Sequence, residues 1–244
     1  MNLRKMRDTL VAYRAGAPLG DVVVMKIDAL SAPSREVVRK LEAMYGYDAP
    51  THDLAELRAL PAGTLGREYA RHLDANGIEP LVISPAVRDR YRSNPYALRY
   101  TTTHDLHHVL TGFDTGLAGE AGLVAFNVGQ GSAPIGRAML WYVRVMYGLL
   151  SPTQSRRLWH DIRVGLEMGR RAKLVIAEPI ESHFAEPIDR VREALDIPDP
   201  HAAGVLPSGR SVIAEWLYPT KKKRDLVAGV SGAAATSRSR RPAA

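Results

Sequence analysis

The chain has 244 residues and an ordinary share of apolar side chains, enough for one sizeable hydrophobic core. It has no cysteine, which excludes disulfides, iron–sulfur clusters and a thiol nucleophile, and leaves nitrogen and oxygen as the only donors for any metal. The formal charge of +7 does not signal a nucleic-acid partner: from Thr220 to Ala244 seven cations (Lys221, Lys222, Lys223, Arg224, Arg238, Arg240, Arg241) face one anion, Asp225, so the remaining body is close to neutral.

In chain order, the N-terminus is basic (Arg4, Lys5, Arg7) but lacks an apolar run and a cleavage site, and does not read as a signal peptide. Residues 21–27, with Val22, Val23 and Val24, fit a short strand or a buried helical turn, and periodicity does not decide between them. Residues 34–45 place Val37, Val38, Leu41 and Met44 at helical spacing; residues 63–75 do the same with Leu65, Tyr69, Ala70 and Leu73. Asn94-Pro95 combines a cap residue with proline at the first helical position. The helix it opens is predicted to run to about Thr111 and stop at Gly112. Gly112, Gly116 and Gly119 mark a tight connection, after which a helix starts near Leu117 and carries Leu123, Val124 and Phe126. Residues 134–150 read as a very apolar helix, with Arg137 and Arg144 in its interior counting against a membrane span. Ser151-Pro152 opens a helix predicted to reach about Val175, and residues 187–195 suggest a last short one. Beyond Tyr218 the composition predicts a disordered basic tail. The expectation is an all-α chain with one helical domain over residues 1–219 and a tail over 220–244. Its predicted location is cytoplasmic, with peripheral contact on the inner face of the membrane, to which Lys221–Arg224 could contribute. A homo-oligomer is compatible with the composition, which does not specify one.

The most informative run is His104-Asp105-Leu106-His107-His108, followed by Glu120, which reads His-Asp-x-x-His-(x11)-Glu. On a helix, His104 and His108 lie one turn apart on one face, with Asp105 at its edge and His107 pointing away. The glycine-rich connection permits a reversal that brings Glu120 back beside the pair. Two imidazoles and two carboxylates suit a divalent metal, with Asp105 either a ligand or an orienter of a histidine. A solvated polar face is the competing reading. A zincin-type peptidase would need glutamate where Asp105 stands. A phosphohydrolase built on a His-Asp dipeptide would need a further histidine and aspartate; His72 and Asp161 exist, but no spacing places them at the site.

These residues, together with Leu60-Pro61-x-Gly63-Thr64-Leu65-Gly66-Arg67-x-Tyr69-Ala70, Arg99-Tyr100, Leu110-x-Gly112 and Gly119-Glu120-x-Gly122-Leu123-x-Ala125-Phe126, resemble the ubiquinone (coenzyme Q) biosynthesis protein 4 family. A weaker echo is Glu186-Pro187-Ile188-x-x-Val191-Arg192-x-x-Leu195. The resemblance spans roughly residues 25–197. Thr101-Thr102-Thr103 departs from it, standing where the family usually carries charged residues, and the basic tail is outside the pattern.

The resemblance implies a mostly helical fold with a bound divalent metal, usually zinc, held by His104, Asp105, His108 and Glu120. It implies a place in ubiquinone synthesis, binding of a polyprenylated aromatic lipid, and other quinone-biosynthesis enzymes as partners. The linked activity is oxidative decarboxylation at ring carbon 1 of a polyprenylated hydroxybenzoate-type intermediate, a metal-dependent lyase-type step. A non-catalytic, lipid-binding organiser of a biosynthetic complex is the alternative. Zinc is redox-inert and acts only as a Lewis acid; iron, cobalt or manganese would suit the same donors and add redox chemistry. For the prenyl tail, the helices at 117–131 and 134–150, with Phe126, Met139, Leu140, Trp141, Val143, Met146 and Tyr147, are either core or a groove opening near the metal. Arg67, Tyr69, Gly63, Gly66, His160 and His183 are expected to serve packing, backbone or surface roles.

Overall fold

The computed structural model describes residues 2–30, 33–45, 52–132, 140–141, 144–145, 149 and 155–206. Among them the α-helices are α1 (Leu3–Arg14), α2 (Leu19–Leu30), α3 (Arg35–Tyr45), α4 (Leu54–Ala59), α5 (Leu65–Asn76), α6 (Pro85–Arg90), α7 (Pro95–Thr111), α8 (Leu117–Gly129), α9 (Ser155–Arg171) and α10 (Ile188–Ala194). No strand occurs among the described residues; Thr64 and Pro187 form an isolated antiparallel bridge.

Helix α7 is the centre of the molecule. Twelve of its seventeen residues are buried, so no single stripe of the helix faces solvent. Its N-terminal half packs Ala97 and Leu98 against Val24 of α2, and Tyr96 against Val37 and Leu41 of α3. Its C-terminal half places Leu106 and Leu110 in the main core with Leu65, Tyr69 and Leu73 of α5, Leu123 and Phe126 of α8, and Met168 of α9. The start and stop of α7 are those the sequence predicts. Asn94 Oδ1 accepts from Ala97 N at 3.2 Å, Pro95 opens the first turn, and Gly112 takes φ 74° at the C-cap. Arg192 of α10 closes the C-terminus by donating to the carbonyls of Leu110 (2.9 Å) and Val109 (3.1 Å).

Helices α8 and α9 cross in backbone contact. A Cβ on Gly165 would fall 2.1 Å from the Gly122 carbonyl oxygen, and one on Gly169 2.1 Å from that of Phe126. Only glycine permits this approach. A buried ion pair, Arg99–Glu181, ties α7 to the 3-10 turns Val175–Ala177 and Ile180–His183, with Arg99 also donating to Glu178 O at 2.8 Å. The two motif blocks around residues 60–70 and 186–195 pair with each other: Leu65 N donates to Glu186 O and Ile188 N to Gly63 O, each at 2.9 Å.

Two open alternatives resolve and one boundary changes. Residues 21–27 are helical, because Val24 is buried against α7 and Gly20 approaches the Val82 backbone. The helix predicted to reach Val175 ends at Arg171, since Lys173 N leaves the helical ladder to bond Leu195 O at 2.9 Å. Phe126 is fully buried in the main core, the packing alternative of the two. Leu140 is buried and Trp141 exposed, while Met139, Val143, Met146, Tyr147, the Ser151-Pro152 start and the tail over 220–244 lie outside the described residues.

Candidate metal centre

Helical spacing on α7 sets His104 above His108, and their Nε2 atoms lie 3.2 Å apart. The turn after α7 brings in the third group. Asp114 Oδ1 accepts from Gly116 N at 2.8 Å, and a Cβ on Gly119 would fall 2.1 Å from the Asp114 carbonyl oxygen, so the chain reverses tightly into α8. Arg157 of α9 holds Asp114 at 2.5 Å. Glu120, in the first turn of α8, then reaches His104 Nε2 at 3.5 Å and His108 Nε2 at 3.4 Å.

The three donor atoms lie within 4.8 Å of one another. Donors about 2.05 Å from a tetrahedral zinc are separated by about 3.3 Å, which matches the separations of 3.2–3.5 Å here. The remaining ring nitrogens are engaged elsewhere. His108 Nδ1 donates to Phe113 O at 2.9 Å, which leaves the Nε2 lone pair facing the cluster, and His104 Nδ1 pairs with the Tyr100 hydroxyl at 3.2 Å. The residues therefore fit a divalent cation with nitrogen and oxygen donors.

Asp105, expected as a fourth ligand, does not join this group of atoms. One residue past His104, it is rotated about 100° around α7. Its charge still acts on His108 and His72. Burial opposes ionisation of Glu120, but hydrogen bonds from the two histidines outweigh it and hold the carboxyl well below the usual range. Burial likewise opposes protonation of His108, and contact with Glu120 reverses the balance and raises its pKa.

Neither of the two residues the phosphohydrolase comparison requires joins the donor group: His72 of α5 stacks on His108 but lies outside it, and Asp161 pairs with Arg157. His107 is excluded from the ligand face, as expected, and is fully buried. Thr101 and Thr103 return their hydroxyls to the carbonyls of Ala97 and Arg99, so the departure before the motif is absorbed inside α7. Tyr69 stacks on Phe184, Arg67 donates to the Arg58 carbonyl, His160 holds Gly204 and His183 pairs with Glu186, all structural roles. Sequence reasoning gave no site role to Tyr100, whose i, i+4 spacing to His104 is a readable signal, or to the Phe113 carbonyl, which as backbone leaves none.

The model of the Coenzyme Q (ubiquinone) biosynthesis protein Coq4 family matches residues 39–201. The chain belongs to the Coq4 family. The Coq4 relatives include the ubiquinone biosynthesis protein COQ4 homologs, mitochondrial, of Danio rerio (34% identical, covering 62% of this chain and 55% of that protein) and Mus musculus (33%, 62% and 56%). The chain thus spans little more than half of these two relatives. A solved structure of a Nostoc punctiforme PCC 73102 protein assigned to ubiquinone biosynthesis is 28% identical, covering 81% of this chain and 97% of its own, with a TM-score of 0.59. The Coq4 match covers α5, α7 and α8, the elements that carry the donor cluster.

Proposed function

We propose that this Coq4 protein is a metal-dependent decarboxylase of ubiquinone biosynthesis, acting at ring carbon 1 of a polyprenylated hydroxybenzoate-type intermediate. The observation that carries the reading is the convergence of His104 Nε2, His108 Nε2 and the Glu120 carboxylate, with His108 locked from behind by Phe113 O. His104, His108 and Glu120 would hold the cation; Asp105 would add negative charge beside them. When bound, the cation supplies Lewis acidity if it is zinc, and redox chemistry as well if it is iron, cobalt or manganese. The ring loses CO2, gains a hydroxyl and gives up two electrons, so a co-substrate oxidant is required, and dioxygen is the class we name. Tyr100 and the Phe113 carbonyl fix both imidazoles, so the donors need not reorganise as charge moves on the ring.

The substrate's lipid tail places the protein at a membrane surface in this reading, on the cytoplasmic side. No helix among the described residues is long and apolar enough to cross a membrane. Support comes instead from exposed Leu3, Leu10 and Val11 of α1, interspersed with exposed Arg4, Arg7 and Arg14, and from exposed Trp141 and Leu149. The same exposed side chains favour a second reading, an organiser that presents the prenylated intermediate to other quinone-biosynthesis enzymes without doing chemistry. Replacing Glu120 by Gln in a host lacking its own copy separates the two. The catalytic reading predicts lost quinone synthesis and accumulated ring carboxylate with protein level and complex intact. Normal quinone levels would refute it.

A further inference from the structure

The donor cluster is bordered by an imidazole outside the sequence motif. His72 stacks on His108 with ring centroids 5.7 Å apart and planes 17° apart. Its Nε2 is buried and meets no hydrogen-bond partner. Most buried polar atoms in native proteins are paired, so an unpaired ring nitrogen beside the donor cluster has hydrogen-bonding capacity left for a ligand atom. His104, Asp105, His108 and Glu120 all act on His72 electrostatically, which sets it beside the space they share. It is nonetheless outside the set of converging donor atoms. Nor is α5 loosely held here: Leu73 is fully buried in the main core, and Asn76 bonds both the His72 carbonyl (2.8 Å) and Thr115 in the turn leading to α8 (3.0 Å).

We propose that His72 positions the substrate, donating from Nε2–H to a carboxylate oxygen of an aromatic acid seated at the His104–His108–Glu120 centre. A neutral imidazole has one N–H to give, and a carboxylate with one oxygen engaged still offers the other. Two points of attachment fix the plane of the carboxyl group relative to the ring, which a single contact does not. The proposal rests on the metal reading of the cluster and names the next residue the substrate meets.

The test uses cobalt(II) as a visible probe and 4-hydroxybenzoate as the carboxylate, on the full-length wild type, His72→Phe and His72→Gln. Cobalt stoichiometry and affinity are expected to be the same in all three. The spectral response to 4-hydroxybenzoate should require about tenfold or more higher concentration in His72→Phe, the range for losing a hydrogen bond to a charged group. His72→Gln, which restores a donor at similar reach, should recover most of that loss; a merely packing role would not respond to the donor. Equal carboxylate affinity in all three overturns the proposal, as does a wild-type spectrum indifferent to the carboxylate. Loss of cobalt from His72→Phe overturns it too, because His72 would then serve the metal or the fold. Failure of the wild type to take up any cobalt removes the metal reading itself, and this proposal with it.

Discussion

His107 shows how one helix face can serve chemistry and the next stability. It sits between the two ligand-face histidines, yet it is fully buried and neither ring nitrogen meets a partner among the described residues. Burial depresses its pKa to about 3 from 6.5, with Asn127 the one neighbour that favours the charged form. The folded chain therefore refuses a proton that the unfolded chain accepts between those values. Stability is complete above pH 6.5 and falls as pH drops through that window, by about 1.4 kcal/mol per pH unit. Urea denaturation at pH 7.5 and pH 5 should show wild type losing about 2 kcal/mol from this source, and His107→Leu should flatten the dependence. An unchanged pH slope in the variant would show that His107 is paired. At the ligand face, Tyr100→Phe removes the hydroxyl that holds His104 Nδ1, and weaker metal affinity, of about tenfold or more, is expected from losing such an outer partner. Competition with a chelator measures it.

At the scale of elements, α7 and the turn into α8 were legible because local chemistry and tertiary structure agree there: Asn94, Pro95 and Gly112 do locally what the fold requires. Asn94→Ala should cost about 1 kcal/mol in thermal or chemical unfolding. The donor cluster was readable for the same reason, since i, i+4 spacing and a glycine turn are sequence-local. What was hidden depends on distant partners. The 21–27 segment is helical with Val24 buried against α7, and the end of α9 is set by Leu195. His72 reaches the site from α5, and no spacing rule links it to His108. Asp105, read at the edge of the ligand face as a ligand or an orienter of a histidine, and as a ligand by the family resemblance, lies outside the converging donor atoms. The α8–α9 crossing offers a sharp test. Gly165→Ala pushes a Cβ against the Gly122 carbonyl, which is backbone and cannot turn aside. Overpacking of this kind costs about 1–3 kcal/mol, and because α8 carries Glu120, metal affinity should fall together with melting temperature. A variant as stable as wild type would mean the helices separate without cost.

For the whole molecule, the donor cluster joins α7 and α8, with α5 stacked behind it and α9 bracing the turn. A cation bound there stabilises only the folded chain. At a free concentration one hundred times its Kd it should add about 2.7 kcal/mol, raising the melting temperature, and a chelator should reverse the gain. The most direct measurement is elemental analysis of protein purified without added metal, beside His108→Ala. One equivalent of a single divalent metal in wild type, absent from the variant, is the expected result. A wild type without metal that also fails to bind zinc, iron, cobalt or manganese on reconstitution would contradict the account.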